Sequence, residues 1–166
     1  MALRRFHYDQ AFEHYLRSKR IPYVAVDEAK RALHGHSNLK NFDFVVYGQQ
    51  GCNLLVDVKG RKHTGKTRKQ FDNWVSEDDI SDLLQWEALF GNDFAATLVF
   101  LFWCDAQPPD ALFTEIFLFN DRWYAVLAIS VREYQAHMKQ RSPKWRTVNI
   151  PAEDFSEHAK PLIEML

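Results

Sequence analysis

Helical and strand patterns are interspersed along these 166 residues, which predicts an α/β fold with a mixed central sheet and flanking helices. Three observations carry this reading. Residues 42–47 and 54–59 are apolar runs at strand spacing, separated by the turn-rich Gly48-Gln49-Gln50-Gly51-Cys52, so they read as a hairpin. Residues 97–103 form a continuous apolar run, the pattern of a central strand covered on both faces. Helices over 8–19, with an apolar stripe, and over 79–90 supply the flanking cover.

The elements follow in order. In 8–19, Tyr8, Ala11, Phe12, Tyr15 and Leu16 fall on one helical stripe. A strand over 21–26 is entered through Pro22, and 27–33 reads as a helical turn capped by Asp27. The helix over 79–90 is closed by Gly91 and contributes Trp86, Leu89 and Phe90 to the core. Strands over 115–119 and 122–129 flank Asn120-Asp121, a second hairpin. A helix over 131–140 turns Val131, Tyr134 and Met138 inward. A short strand over 146–150 and a helix near Glu153 follow.

Composition narrows the function classes. Hydrophobic residues make up 46% and charged residues 26%, which excludes a disordered chain. A net charge of -1 excludes nucleic-acid binding by bulk charge but leaves room for a local basic patch. The longest apolar run, residues 95–104, is far shorter than the ~20 residues of a membrane span. The start MALRRFHYDQAF lacks an apolar signal core, so the expected location is cytoplasmic, away from membranes, with Cys52 and Cys104 reduced.

Chemistry concentrates in the first hairpin. Strand side chains alternate, so Phe42, Phe44 and Val46 share a face that matches Leu54, Val56 and Val58. The other face holds Asp43, Val45 and Tyr47 beside Leu55, Asp57 and Lys59. A turn over 48–52 pairs Val45 with Leu55 and sets Asp43 opposite Asp57, with Lys59 two residues further on. A slip of one residue would turn the apolar face away from the core, so the hydrophobic pattern itself supports this register. Facing carboxylates repel unless a cation lies between them, and hard oxygen donors favour Mg²⁺ or Mn²⁺. A neighbouring lysine can orient water and stabilise developing negative charge, which makes phosphodiester hydrolysis the natural chemistry. The acid-x-Lys triplet alone is weak, because Glu28-Ala29-Lys30 repeats it on an expected helix. The added weight comes from Asp43 upstream and the basic segment downstream.

The stretch Phe42-Asp43-Phe44-Val45-Val46 with Leu55-Val56-Asp57-Val58-Lys59-Gly60-Arg61 resembles the PD-(D/E)XK nuclease superfamily, and within it archaeal Holliday-junction resolvases and related small endonuclease-like proteins. The resemblance covers roughly residues 8–103, and the remaining third has no counterpart within it. It implies a restriction-endonuclease-like core, with 112–166 belonging to the same single nuclease-like domain over 1–166. It also implies a nuclease dependent on Mg²⁺ or Mn²⁺ and acting on nucleic acid, DNA foremost, endonuclease or exonuclease, and compatible with a homodimer. By resemblance, Asp43 and Asp57 bind metal with help from the Val58 carbonyl, and Lys59 is catalytic. Phe42 stands where the motif has proline. Such nucleases often add an acid from the first helix. Asp9 and Glu13 are the candidates, and either or neither completes the shell.

Arg61, Lys62, Lys66, Arg68 and Lys69 follow the motif without an intervening acid and suit contact with a phosphate backbone. The acidic Glu77-Asp78-Asp79 and Asp82 after them would neutralise this segment or cap the helix. The basic stretch 139–146 has one aromatic, Trp145, expected to anchor the loop to the core rather than to stack on a base. Two further readings are a catalytically inactive nucleic-acid-binding module on the same fold and a structural or interaction domain.

Overall fold

The structure, a computed structural model, describes residues 2–26, 32–34, 37–63, 71–108 and 113–166. The chain opens with α1 (Ala2–Ser18), β1 (Tyr23–Ala25), β2 (Ala32–His34), β3 (Ser37–Leu39) and β4 (Phe44–Val46). It continues through β5 (Asn53–His63), β6 (Val75–Ser76), α2 (Glu77–Phe90) and β7 (Phe94–Cys104). The last part holds β8 (Ile116–Phe119), β9 (Arg122–Ser130), α3 (Val131–His137), β10 (Lys139–Ser142), β11 (Thr147–Asn149), α4 (Ala152–His158) and a 3₁₀ turn (Leu162–Met165).

The main sheet has six strands in the order β1-β4-β5-β7-β9-β8. Only β5 and β7 run parallel within it, so the sheet is mixed, as expected. The expected α1 stripe is buried: Ala11, Phe12, Tyr15 and Leu16 pack against Phe44, Val46, Leu54, Val56 and Val99. The opposite face carries Val45, Leu55, Leu98 and Phe100 beneath Ile80, Leu83, Tyr134 and Phe155 of the later helices. Apolar cover on both sides explains why β7 reads as an unbroken apolar run. At the second hairpin, Asn120 and Asp121 both take left-handed φ (48° and 59°), the geometry that a two-residue connection between twisted strands requires.

Several expectations are corrected. The expected helical turn over 27–33 lies largely outside the described residues, and its last two, Ala32 and Leu33, form β2 and pair with β3. Helix α2 starts two residues early because Ser76 caps it. The Ser76 hydroxyl accepts from the Asp79 N–H, and the Asp79 carboxylate accepts from the Ser76 N–H. Helix α3 ends at His137, not at 140, and the chain turns back as β10 to pair with β11. Leu89 and Phe90 are 48% and 40% exposed rather than core. They sit on the last turn of α2, where the Phe90 ring makes T-shaped contacts with Phe42, Trp86 and Phe94.

Candidate metal and phosphate site

The site forms where β4 leaves β5. The expected register holds, with Val45 facing Leu55 and Phe44 facing Val56. It stops one residue before the expected carboxylate pair, because Asp43 lies in a bend rather than in the ladder. The Asp43 N–H donates to the Val56 carbonyl at 2.9 Å. Its Oδ2 accepts from the Val58 N–H at 2.6 Å. A side chain thus replaces the ladder at the fork and ties Asp43 to the backbone between Asp57 and Lys59. The same bend corrects Phe42. Strand alternation assigns it to the face of Phe44 and Val46, yet it packs on the other face, edge-on to Trp86 at 5.6 Å.

Asp43 and Asp57 are only 5% and 7% exposed, so each carboxylate depends on fixed partners. The Lys59 Nζ lies 2.7 Å from Asp57 Oδ2 and 2.8 Å from Asp79 Oδ2. The other Asp79 oxygen, Oδ1, takes the Lys40 ammonium at 2.6 Å. Burial alone would lower the Lys59 pKa, but the charges of Asp57 and Asp79 outweigh it and raise the pKa above the ordinary lysine value. Burial likewise works to raise Asp79. Lys59 and Lys40 outweigh that burial and hold its carboxyl well below the usual range. Lys59 is therefore a fixed ammonium beside Asp57 near neutral pH.

The other predicted residues divide. Val58 is half-buried on β5, with its N–H committed to Asp43. Glu13 accepts from the Tyr23 hydroxyl at 3.1 Å and lies 4.0 Å from Arg17, which places it beside the edge strand β1. Asp9 is half-buried one turn earlier on α1. That turn is pressed onto β5, since a Cβ added at Gly60 would come within 2.2 Å of the Tyr8 ring. Among the described residues, no three His, Cys, Asp or Glu side chains gather as a metal-ligand cluster. Arg61 donates to the Gly60 and Trp74 carbonyls and lies over the Trp74 ring at 4.6 Å, with only 14% of its side chain exposed. Lys62 is half exposed and 3.2 Å from Asp105. Lys66, Arg68 and Lys69 lie outside the described residues.

Sequence reasoning missed Lys40 and gave Asp79 only a capping or neutralising role. Asp79 does cap α2, through the capping box with Ser76, and it also holds the site lysine. Glu77 and Asp78 pair with Arg146, and Asp82 accepts from the Lys40 N–H. Nothing in local spacing signals Lys40, because its partner is 39 residues away.

By sequence, no protein-family model matches the chain, and no curated protein matches it significantly. By structure, it is similar to Hjc of Archaeoglobus fulgidus, a Holliday junction resolvase from an archaeal hyperthermophile. The two share 16% identity and a TM-score of 0.57, over 96% of this chain and 97% of that one. The chain therefore shares the restriction-endonuclease-like fold of that resolvase. The likeness extends well past the 8–103 stretch in which the sequence resemblance was legible.

Proposed function

We propose that this protein is a metal-dependent nuclease that hydrolyses phosphodiester bonds in DNA. One observation carries the reading: Lys59 Nζ stands 2.7 Å from Asp57, with the Asp43 carboxylate bonded to the amide between them. The donor set fits a hard divalent cation. Among the described residues, Asp57 has no hydrogen-bond partner besides Lys59, which leaves its Oδ1 available. Asp43, Asp57 and the Val58 carbonyl would hold Mg²⁺ or Mn²⁺. Of the α1 acids, we take Asp9 over Glu13 to complete the shell, a choice supported by the contact of the neighbouring Tyr8 with Gly60 of β5.

When bound, the ion supplies Lewis-acid polarisation of the phosphate and activation of water. Lys59 would supply a positive charge to offset the negative charge that develops as the bond breaks. Asp79 and Lys40 keep that ammonium fixed and protonated. Lys62 and the expected contacts Lys66, Arg68 and Lys69 would meet the DNA backbone. An intracellular location, in the cytoplasm, goes with such a substrate.

The double pairing of Lys59 favours a second reading, a catalytically silent DNA-binding module, because each carboxylate it touches competes with its use in the reaction. A cleavage assay separates the two. Single-stranded DNA, duplex, a four-way junction and RNA are incubated with Mg²⁺, Mn²⁺ or EDTA, using wild type and Asp57→Asn. Cleavage that requires both the metal and Asp57 is the expected result. Cleavage that persists in Asp57→Asn would overturn the assignment. Retarded DNA bands with no cleavage on any substrate would select the silent module.

A further inference from the structure

The hairpin of β10 and β11 is unlike the loop expected from its sequence. The Trp145 indole, expected to anchor it, is 70% exposed. Lys139, Arg141, Lys144 and Arg146 of the same hairpin are also exposed, and residues 139–146 contain no acid. Arg146 is occupied by Glu77 and Asp78. Lys139, Arg141 and Lys144 make no ion pair among the described residues, and Lys144 Nζ lies 5.4 Å from the Trp145 ring. Single exposed aromatics are ordinary. An exposed indole on a hairpin with three cations that make no ion pair among the described residues is a surface of defined chemistry.

The hairpin also continues the site. Asp57, Lys59 and Arg61 alternate along one face of β5. Arg61 lies 4.6 Å from the Trp74 ring, and Arg141 of β10 lies 5.3 Å from the same ring. β11 pairs with β6, which leads directly into the helix that carries Asp79. A line of cationic and aromatic groups thus runs from Lys59 through Arg61 and Trp74 to Arg141 and the hairpin tip.

We propose that this hairpin holds unpaired nucleotides of the strand that enters the site, with a base stacked on Trp145 and phosphates on Lys139, Arg141 and Lys144. A flat π-face between negative charges matches a nucleobase between phosphates. The inference rests on the nuclease reading only for the direction from which the strand arrives. It implies a preference for DNA with a single-stranded extension over blunt duplex.

The test is fluorescence anisotropy in EDTA, where cleavage plays no part. The probes are a labelled blunt duplex and the same duplex carrying an oligo-dT tail. Wild type is expected to bind the tailed probe about tenfold more tightly, a typical loss for one base–aromatic stack. Trp145→Ala is expected to bring the tailed probe to the blunt level, and Trp145→Phe to keep most of the preference. The side chain is exposed, so both variants should retain the wild-type circular dichroism spectrum. Undiminished tail preference in Trp145→Ala, or equal affinity of wild type for both probes, would overturn the proposal. Failure of the nuclease reading registers separately, as absent cleavage in the metal lanes, and leaves this preference standing.

Discussion

Lys59 of β5 and Asp79 of α2 meet at 2.8 Å across a separation of 20 residues. The contact joins the sheet that carries the acid-x-Lys triplet to the helix that follows it. Asp79 serves twice, as the third helical residue that closes the capping box with Ser76 and as the second carboxylate on Lys59. It touches no reacting atom in the proposed chemistry, so it is a positioning residue.

Asp79→Asn should lower the Lys59 pKa, because one of the two charges that oppose its burial is removed. The alkaline limb of the cleavage rate–pH profile should move to lower pH, with the acid limb unmoved. A variant that merely loosened the helix would lower the rate at every pH and leave the limb in place.

Stability should carry the same signature at low pH. The folded-state pKa of Asp79 lies below its ordinary value of 3.8. Its pairs with Lys59 and Lys40 therefore stabilise the fold above that value and are lost as pH falls through the folded-state pKa. Urea midpoints of wild type should drop steeply below about pH 4, where carboxylates begin to protonate. Asp79→Asn should start lower at neutral pH and fall less over the same interval.

Gly60 is a packing requirement. Any Cβ there would meet the Tyr8 ring of α1 at 2.2 Å, and the ring is hemmed in by Tyr124 at 6.3 Å. Gly60→Ala should cost about 1–3 kcal/mol through overpacking, read from the denaturant midpoint. Tyr8→Ala in the same chain should recover part of that loss.

Asn73 pins the segment that carries Trp74 and β6. It is 3% exposed, accepts from the Ile150 N–H at 2.8 Å and donates to the Ile150 carbonyl at 2.9 Å. Asn73→Ala should destabilise the fold by about 2–4 kcal/mol, since two buried backbone groups lose their partner at once. An equilibrium unfolding curve checks the value, and a loss under 1 kcal/mol (on the order of one ordinary hydrogen bond) would contradict this role.

The parts of the fold legible in the sequence are those whose side chains alternate or repeat against a core. The register of β4 on β5, the buried stripe of α1 and the doubly covered β7 all follow from hydrophobic spacing. Residues 139–142, Lys-Gln-Arg-Ser, carry no such pattern, and they form a strand only because β11 offers a backbone edge. The bend at Asp43 was equally hidden, since alternation says nothing about a carboxylate that accepts from the opposite strand's N–H. Within the site, Asp43, Asp57 and Lys59 were legible because the triplet and the hairpin are local. Lys40 was not, because its contact with Asp79 is made only when α2 packs beside β5.

The proposed nuclease requires Asp43 and Asp57 to hold a divalent ion at the β4–β5 fork. Calorimetric titration of Mn²⁺ into the protein tests it without choosing a substrate. Saturable binding is expected in wild type and in Lys59→Ala, with its loss in Asp57→Asn and Asp43→Asn and the circular dichroism spectrum unchanged. Binding that persists undiminished in both aspartate variants would contradict it.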